Sequence, residues 1–352
     1  MTNVENNLAE FNQSWAEFLD DGSLLELTRN WEASIPCEQF FTLENGTELS
    51  LTYTGILKVT PVIKSDTSIV ISSGVHGNET APIEILDQLV KGIVNEVINV
   101  KSNLLLIIGN PPAMNISERF VGQNLNRLFS EKYLKSEAQD YECQRAKEIE
   151  KEVSSFFETD TNNAKFHFDL HTAIRASKFK KFVVYPYQGK RPWDKEHIAF
   201  FGGSDITTVL LGNQPAGTFS YYTSNKFNAL SATVELGKVK PFGENDMSEF
   251  KGITKNLQAM IEKQPTQKKT FDNEQYRVFK VKQEIIKANS NFELLVDDDL
   301  KNFTSFEKGH LLASDGGSEK YIVEKDGEAI VFPNNNFPVG QRVAVLLEEV
   351  SL

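Results

Sequence analysis

Cysteine is nearly absent: Cys37 and Cys143 are the only two in 352 residues. That excludes a disulfide framework and a cysteine-rich zinc site, and each thiol is expected to be inert. No apolar run reaches the ~18 residues that a membrane-spanning helix needs. Residues 1–30 carry Glu5, Glu10, Glu17, Asp20 and Asp21 with no basic opening stretch, so they do not read as a signal peptide. Positive charge is in deficit, with 37 lysines and arginines against 49 aspartates and glutamates and a formal net charge of -12. This balance argues against nucleic acid and anionic membrane as partners. It leaves room for a small anionic substrate, because a local group of arginines can oppose the global sign. The expected location is the cytoplasm, and no feature specifies an oligomeric state.

The apolar fraction is 40% and the charged fraction 24%, an ordinary globular composition. What is present is organised around residues 68–86, SIVISSGVHGNETAPIEIL. Ile69-Val70-Ile71 reads as a strand buried on both faces. Ser72-Ser73-Gly74 turns the chain, and Pro82 suits the first turn of a helix, where its missing N–H is not needed. Ile83, Leu86, Leu89, Val90 and Ile93 then follow at helical spacing. This strand-turn-helix puts His76 and Glu79 at the carboxyl end of a strand, the edge where ligands bind in open α/β sheets. An imidazole and a carboxylate three residues apart can converge on one metal ion. Zinc suits such ligands, and a catalytic zinc site takes three protein ligands and a water. The plainer alternative makes His76 a turn residue and Glu79 an acid favoured by the helix dipole.

The remaining pattern is of alternating elements. Residues 8–28 predict one amphipathic opening helix, and 38–60 a hairpin about Asn45-Gly46. Residues 103–108 (NLLLII) predict a second buried strand. The stretch 110–129, NPPAMNISERFVGQNLNRLF, then carries Arg119 and Arg127 among apolar anchors Phe120, Leu125, Leu128 and Phe129. Arginine is the preferred partner for bidentate carboxylate recognition, although two arginines on a solvated loop would look the same. Residues 131–157 read as a charged, solvated helix. KFHFDLH (165–171) alternates as a strand ending at His171, a candidate third ligand. His167, inside that strand, reads as a satisfied core histidine, and Asp169 as a carboxylate that orients a ligand. Further strands are expected at 182–185 and 232–237, mixed helix and turn at 194–211, and a helix at 247–263. Glu235 is an acid in an apolar strand. It is either a surface glutamate on an edge strand or, if buried, a general base beside a metal-bound water. The predicted division is a catalytic region over 1–265 and a small β-rich domain over 266–352, whose short strands are punctuated by Asp315-Gly316-Gly317 and Asp326-Gly327.

Taken together, HGNE (76–79), NPPAMN…ERF (110–120), NLNRLF (124–129), DLHTAIR (169–175) and VELGK (234–238) resemble, in this order, the succinylglutamate desuccinylase/aspartoacylase family. The wording of DLHTAIR is closer to the desuccinylase branch. The resemblance implies an α/β fold, a zinc-carboxypeptidase-like mixed sheet flanked by helices, with a small C-terminal all-β domain. It implies one zinc ion per subunit on His76, Glu79 and His171, with Glu235 as general base and Arg119 stabilising the oxyanion. Asn126, Arg127 and Arg175 would then bind substrate carboxylates. The implied reaction is hydrolysis of N-succinylglutamate to succinate and glutamate, the last step of the succinyl route of arginine breakdown. Two other readings share the motifs: a deacylase of another N-acyl amino acid such as N-acetylaspartate, and a non-catalytic metal or metabolite binder.

Overall fold

A computed structural model describes residues 3–317, 320–336 and 338–352. The opening stretch forms two helices where one was expected, α1 (Asn3–Asp21) and α2 (Leu24–Asn30). Gly22 takes φ +74°, a left-handed conformation that ends α1, and the Ser23 side chain accepts from the Glu26 N–H to start α2. Hydrophobic period alone does not reveal that break.

The expected hairpin forms from β1 (Gln39–Thr42) and β2 (Glu48–Tyr53), and β3 (Ile56–Thr60) continues it antiparallel. Strand β4 (Thr67–Ser73) enters the centre of the sheet between β5 (Asn103–Ile108) and β6 (Ala164–Ala173), parallel to both. Its apolar run is continuous because both faces are covered. On one face Ile69 and Ile71 pack with Ile83, Leu86, Leu89 and Val90 of α3 (Thr80–Val94). On the other, Val70 and Leu105 meet Ala146, Ile149 and Val153 of α5 (Tyr141–Thr159), which follows the short α4 (Pro111–Asn115).

Helix α5 corrects the expectation of a solvated helix over 131–157. It buries Glu142, Arg145 and Glu150 along with its apolar residues. Each buried charge meets backbone groups; the Arg145 guanidinium, for example, donates to the carbonyls of Thr54, Ile108 and Gly109 at 2.7–2.9 Å.

The sheet continues through β7 (Phe182–Tyr185), β8 (Thr208–Leu211) and β9 (Leu230–Lys238). Strand β8 corrects the mixed reading of 194–211, which resolves into α6 (Lys195–Gly202) and then a strand. Helices α7 (Phe219–Phe227) and α8 (Lys251–Ile261) complete this part. The C-terminal stretch supplies β10 (Arg277–Ile286) and a series of shorter strands ending in β16 (Arg342–Glu349). Because β10 pairs in parallel with β8, the large sheet runs on into this stretch. The stretch also has an apolar cluster of its own, including Ile285, Leu312, Val343 and Leu346. The architecture is therefore mixed α/β, a large mixed sheet with helices, followed by a β-rich C-terminal part. No helix among the described residues is long and apolar enough to cross a membrane.

The consequence for chemistry is that β4, β6 and β9 run parallel and end on one edge. The turn after β4 packs tightly there: a Cβ on Gly77 would lie 2.2 Å from the backbone of Ala113 and Met114. Gly77→Ala is expected to lower stability by about 1–3 kcal/mol through overpacking, read as a lower urea midpoint at an unchanged slope. An unaltered midpoint would show that the turn can move away from α4.

Candidate active site

At that edge β4 hands the chain to Gly74, which turns at φ +60° and brings round His76, and Glu79 follows at the start of α3. Strand β6 delivers Asp169 and His171, and β9 sets Glu235 opposite His171 in register. His76, Glu79 and His171 are all buried, with ligand atoms within 4.8 Å of one another. The sequence named these three from two separate stretches, and the fold brings them together.

Glu79 is the hub. Its Oε1 lies 2.9 Å from His76 Nδ1 and its Oε2 2.9 Å from His171 Nδ1. It also accepts from the Thr172 N–H at 3.0 Å and from Arg119 Nη1 at 2.7 Å. The outer nitrogens are held as well: His76 Nε2 is 3.0 Å from Asn124 Oδ1, and His171 Nε2 is 3.0 Å from Asp169 Oδ2. Asn124 Oδ1 also accepts from the Asn126 N–H at 3.0 Å, which fixes it as the oxygen end. Asn124 is an acceptor, so Nε2 of the neutral His76 ring carries its proton and Nδ1 presents a lone pair, whereas His171 lies between two carboxylates and donates to both. Once the Nδ1 proton of His171 is given up, both imidazole nitrogens and the Glu79 oxygens converge on one point that a cation can take. The three side chains thus form a group fit to hold a metal ion.

Burial drives His76 down to about 4, against the pull of Glu79, so this ring is neutral at ordinary pH. Burial also works against ionised Glu79, yet His76 and His171 hold its carboxyl well below the usual range. For His171, burial is outweighed by Asp169 and Glu79, and the ring is raised. Behind it, Asp169 accepts from Ser72 Oγ at 2.6 Å, Ser72 meets His167 at 2.9 Å, and His167 meets Thr223 Oγ1 at 2.8 Å. His167 is therefore the satisfied core histidine expected of it.

Glu235 is buried, and its Oε2 has no hydrogen-bond partner. Burial pushes its carboxyl up to about 7; the charge of His171 opposes this and that of Glu79 adds to it. A buried, unpaired carboxylate is costly to a fold and suits a group that moves protons.

The two loop arginines lie close enough to repel. Arg119 is partly exposed beside Glu79. Arg127, with its Nη1 donating to the Asn126 carbonyl, reaches solvent from a confined setting. That confinement, then the charges of Arg342 and Arg119, brings its guanidinium down to about 9, with Glu284 opposing. Asn126 is buried, and its Oδ1 accepts from the Phe219 N–H at 2.9 Å, leaving the Nδ2 end for a ligand. Arg175 is turned toward the C-terminal stretch, donating to the Asp298 carbonyl. There it lines a cavity of about 430 Å³ with Lys238, Asp299 and Asn334. Sequence reasoning did not single out Asn124 or Arg342. Asn124 sits 48 residues from the histidine it orients, and nothing local signals that contact.

Residues 65–261 match the succinylglutamate desuccinylase/aspartoacylase catalytic domain, and residues 274–350 match the AstE/AspA barrel-sandwich hybrid domain. The chain belongs to the succinylglutamate desuccinylase/aspartoacylase family. Within this family, a succinylglutamate desuccinylase of Pseudoalteromonas atlantica is 47% identical over 335 residues, covering 94% of this chain and 95% of that protein. One from Idiomarina loihiensis is 42% identical, over 89% and 92% of the two chains. The crystal structure of the Vibrio parahaemolyticus enzyme of that name superposes with a TM-score of 0.84 at 33% identity, covering 94% of this chain and 95% of that one.

The raised Glu235 carboxyl has a consequence for stability. The folded state holds this proton more tightly than the unfolded chain, whose carboxyl titrates near 4.5, so stability falls as pH rises from 4.5 to about 7. In metal-stripped protein this contribution is on the order of 3 kcal/mol. Urea unfolding at pH 5 and pH 8 should show a smaller loss in Glu235→Gln than in the wild type. Equal losses would mean that Glu235 is solvated.

Proposed function

We propose that this protein is a zinc-dependent amidohydrolase that cleaves N-succinylglutamate to succinate and glutamate. The observation that carries the reading is the pairing of a convergent, buried His76–Glu79–His171 cluster with the buried, unpartnered oxygen of Glu235. A site that only stored or sensed a metal has no use for such a carboxylate. The substrate assignment is supported by relatives that carry the name succinylglutamate desuccinylase across nearly their whole length.

His76, Glu79 and His171 would hold the ion, and the chemistry zinc supplies is Lewis acidity, toward the scissile carbonyl and toward an attacking water. Glu235 takes a proton from that water as the new C–O bond forms, and gives it to the leaving nitrogen as the C–N bond breaks. Arg119 lies beside Glu79, where it can pair with charge developing on the carbonyl oxygen. Arg127 and the amide end of Asn126 take a substrate carboxylate. N-succinylglutamate has three carboxylates, enough to engage Arg175 as well. In this reading residues 1–265 are the catalytic domain and 266–352 a small β-rich domain joined to it through the β8–β10 pairing.

The direct test is succinate release from N-succinylglutamate by the purified protein, before and after chelation and again after zinc is restored. We expect release that is lost on chelation and recovered with zinc. Release from a different N-acyl amino acid instead would move the substrate but keep the reaction. Glu235→Gln should lower kcat by roughly 100- to 10,000-fold while metal stoichiometry is unchanged; undiminished turnover in that variant would sink the mechanism. Arg127→Ala should raise KM by about 10-fold or more, as expected for losing a charged hydrogen bond. An unchanged KM would place Arg127 outside the pocket.

A further inference from the structure

The stretch bearing Arg119 and Arg127 is anchored by Leu125, Leu128 and Phe129 beyond Asn124, but less so before it. From Ile116 to Asn124 it belongs to no helix or strand, and of its four apolar anchors Phe120 is exposed. Its two guanidiniums, with Arg342 nearby, push one another apart. Side-chain bonds of Gln123 to Ala138, Asp140 and Ser136 hold part of it, and the densest tie is at one carboxylate. Glu142, fully buried in the first turn of α5, accepts from the N–H of Val121 (2.7 Å), Gly122 (3.2 Å) and Gln123 (3.4 Å), and from Asn110 Nδ2 (3.1 Å). Three consecutive backbone donors form a nest around the carboxylate, and the amino end of α5 lies beneath it. A Cβ on Gly122 would meet only side-chain ends, Asp140 Oδ2 at 2.5 Å and Glu142 Oε2 at 3.4 Å. The grip falls between Arg119, whose carbonyl accepts from the Gly77 N–H of the metal-site turn, and Asn124, which orients His76.

We propose that Glu142 is a positioning residue: by gripping Val121–Gln123 it fixes the spacing of Arg119 and Arg127 and so preorganises the site for a substrate with several carboxylates. The inference rests on the hydrolase reading above for the identity of that substrate. Holding two like charges at a set separation costs energy in the free enzyme, and the anchor supplies it before substrate arrives. Glu142 itself touches no reacting atom.

The test compares Glu142→Gln with wild type in full-length, zinc-loaded protein. The amide keeps one acceptor but turns an N–H₂ toward backbone donors. We expect unchanged metal content, faster amide exchange at 121–123, and a KM for N-succinylglutamate raised by about 10- to 100-fold. In the Arg127→Ala background the same change should raise KM less than it does alone, because the two residues act through one loop. If Glu142→Gln lowers thermal stability or amide protection while KM stays at the wild-type value, Glu142 is structural only and the proposal falls. Should that variant not fold, Glu142→Asp keeps the charge but shortens its reach to the Val121–Gln123 amides, and is judged by the same measurements. If wild type releases no succinate, the hydrolase reading fails by itself. Succinate, as a dianion probe, then decides the clamp: weaker binding in the variant supports it and equal binding overturns it.

Discussion

One carboxylate, that of Glu79, answers to two imidazole nitrogens, a guanidinium and a backbone amide at once. Everything else in the site follows from making that crowding tolerable. The imidazoles must be aimed with their lone pairs inward, which Asn124 and Asp169 achieve by taking the outer protons. The backbone amide must arrive from β6, which its parallel pairing with β4 ensures. The residual demand for positive charge between acceptors is what a metal ion satisfies, and the sheet edge is where distant stretches meet to create it.

The electrostatics run opposite to those of the molecule as a whole. A chain of net charge -12 brings Arg119 and Arg342 near enough to Arg127 for their charges to act on it, although Arg342 is paired with Glu284. Local repulsion among these arginines is a strain that favours an anionic ligand, since binding relieves it. The same logic explains why so many buried charges lie on α5. Arg145 caps the carbonyls at the end of β5, while Glu142 receives backbone N–H groups between Arg119 and Arg127 and Glu150 receives them just after Arg127. The helix is a platform for the loop, and Glu142 and Glu150 face inward for that reason.

The family likeness was legible because its motifs are compact. HGNE, NLNR and DLHT each hold functional side chains within a few residues, and each sits where a buried strand or an apolar anchor ends. The hairpin at Asn45-Gly46 and the buried strands at 69–71 and 103–108 were legible for a similar reason, since period and turn chemistry are local signals. The break at Gly22 was not, because a left-handed glycine between two apolar stretches leaves the helical period nearly intact. Helix α5 was misread because charged side chains report where they point only when their partners, here the backbone of another loop, are known.

Local chemistry therefore decides which residue types are delivered, and on which elements: His76 and Glu79 after one strand, His171 at the end of another, Glu235 within a third. It cannot decide whether Glu235 is buried and unpaired, that Asn124 rather than a nearer residue sets the His76 tautomer, or that Arg342 faces Arg127 from the far end of the chain. Those facts depend on the order of strands in the sheet and on the depth of packing around each polar atom. Both are set by contacts between residues tens to hundreds of positions apart, and such contacts leave no periodic trace in the stretch that makes them.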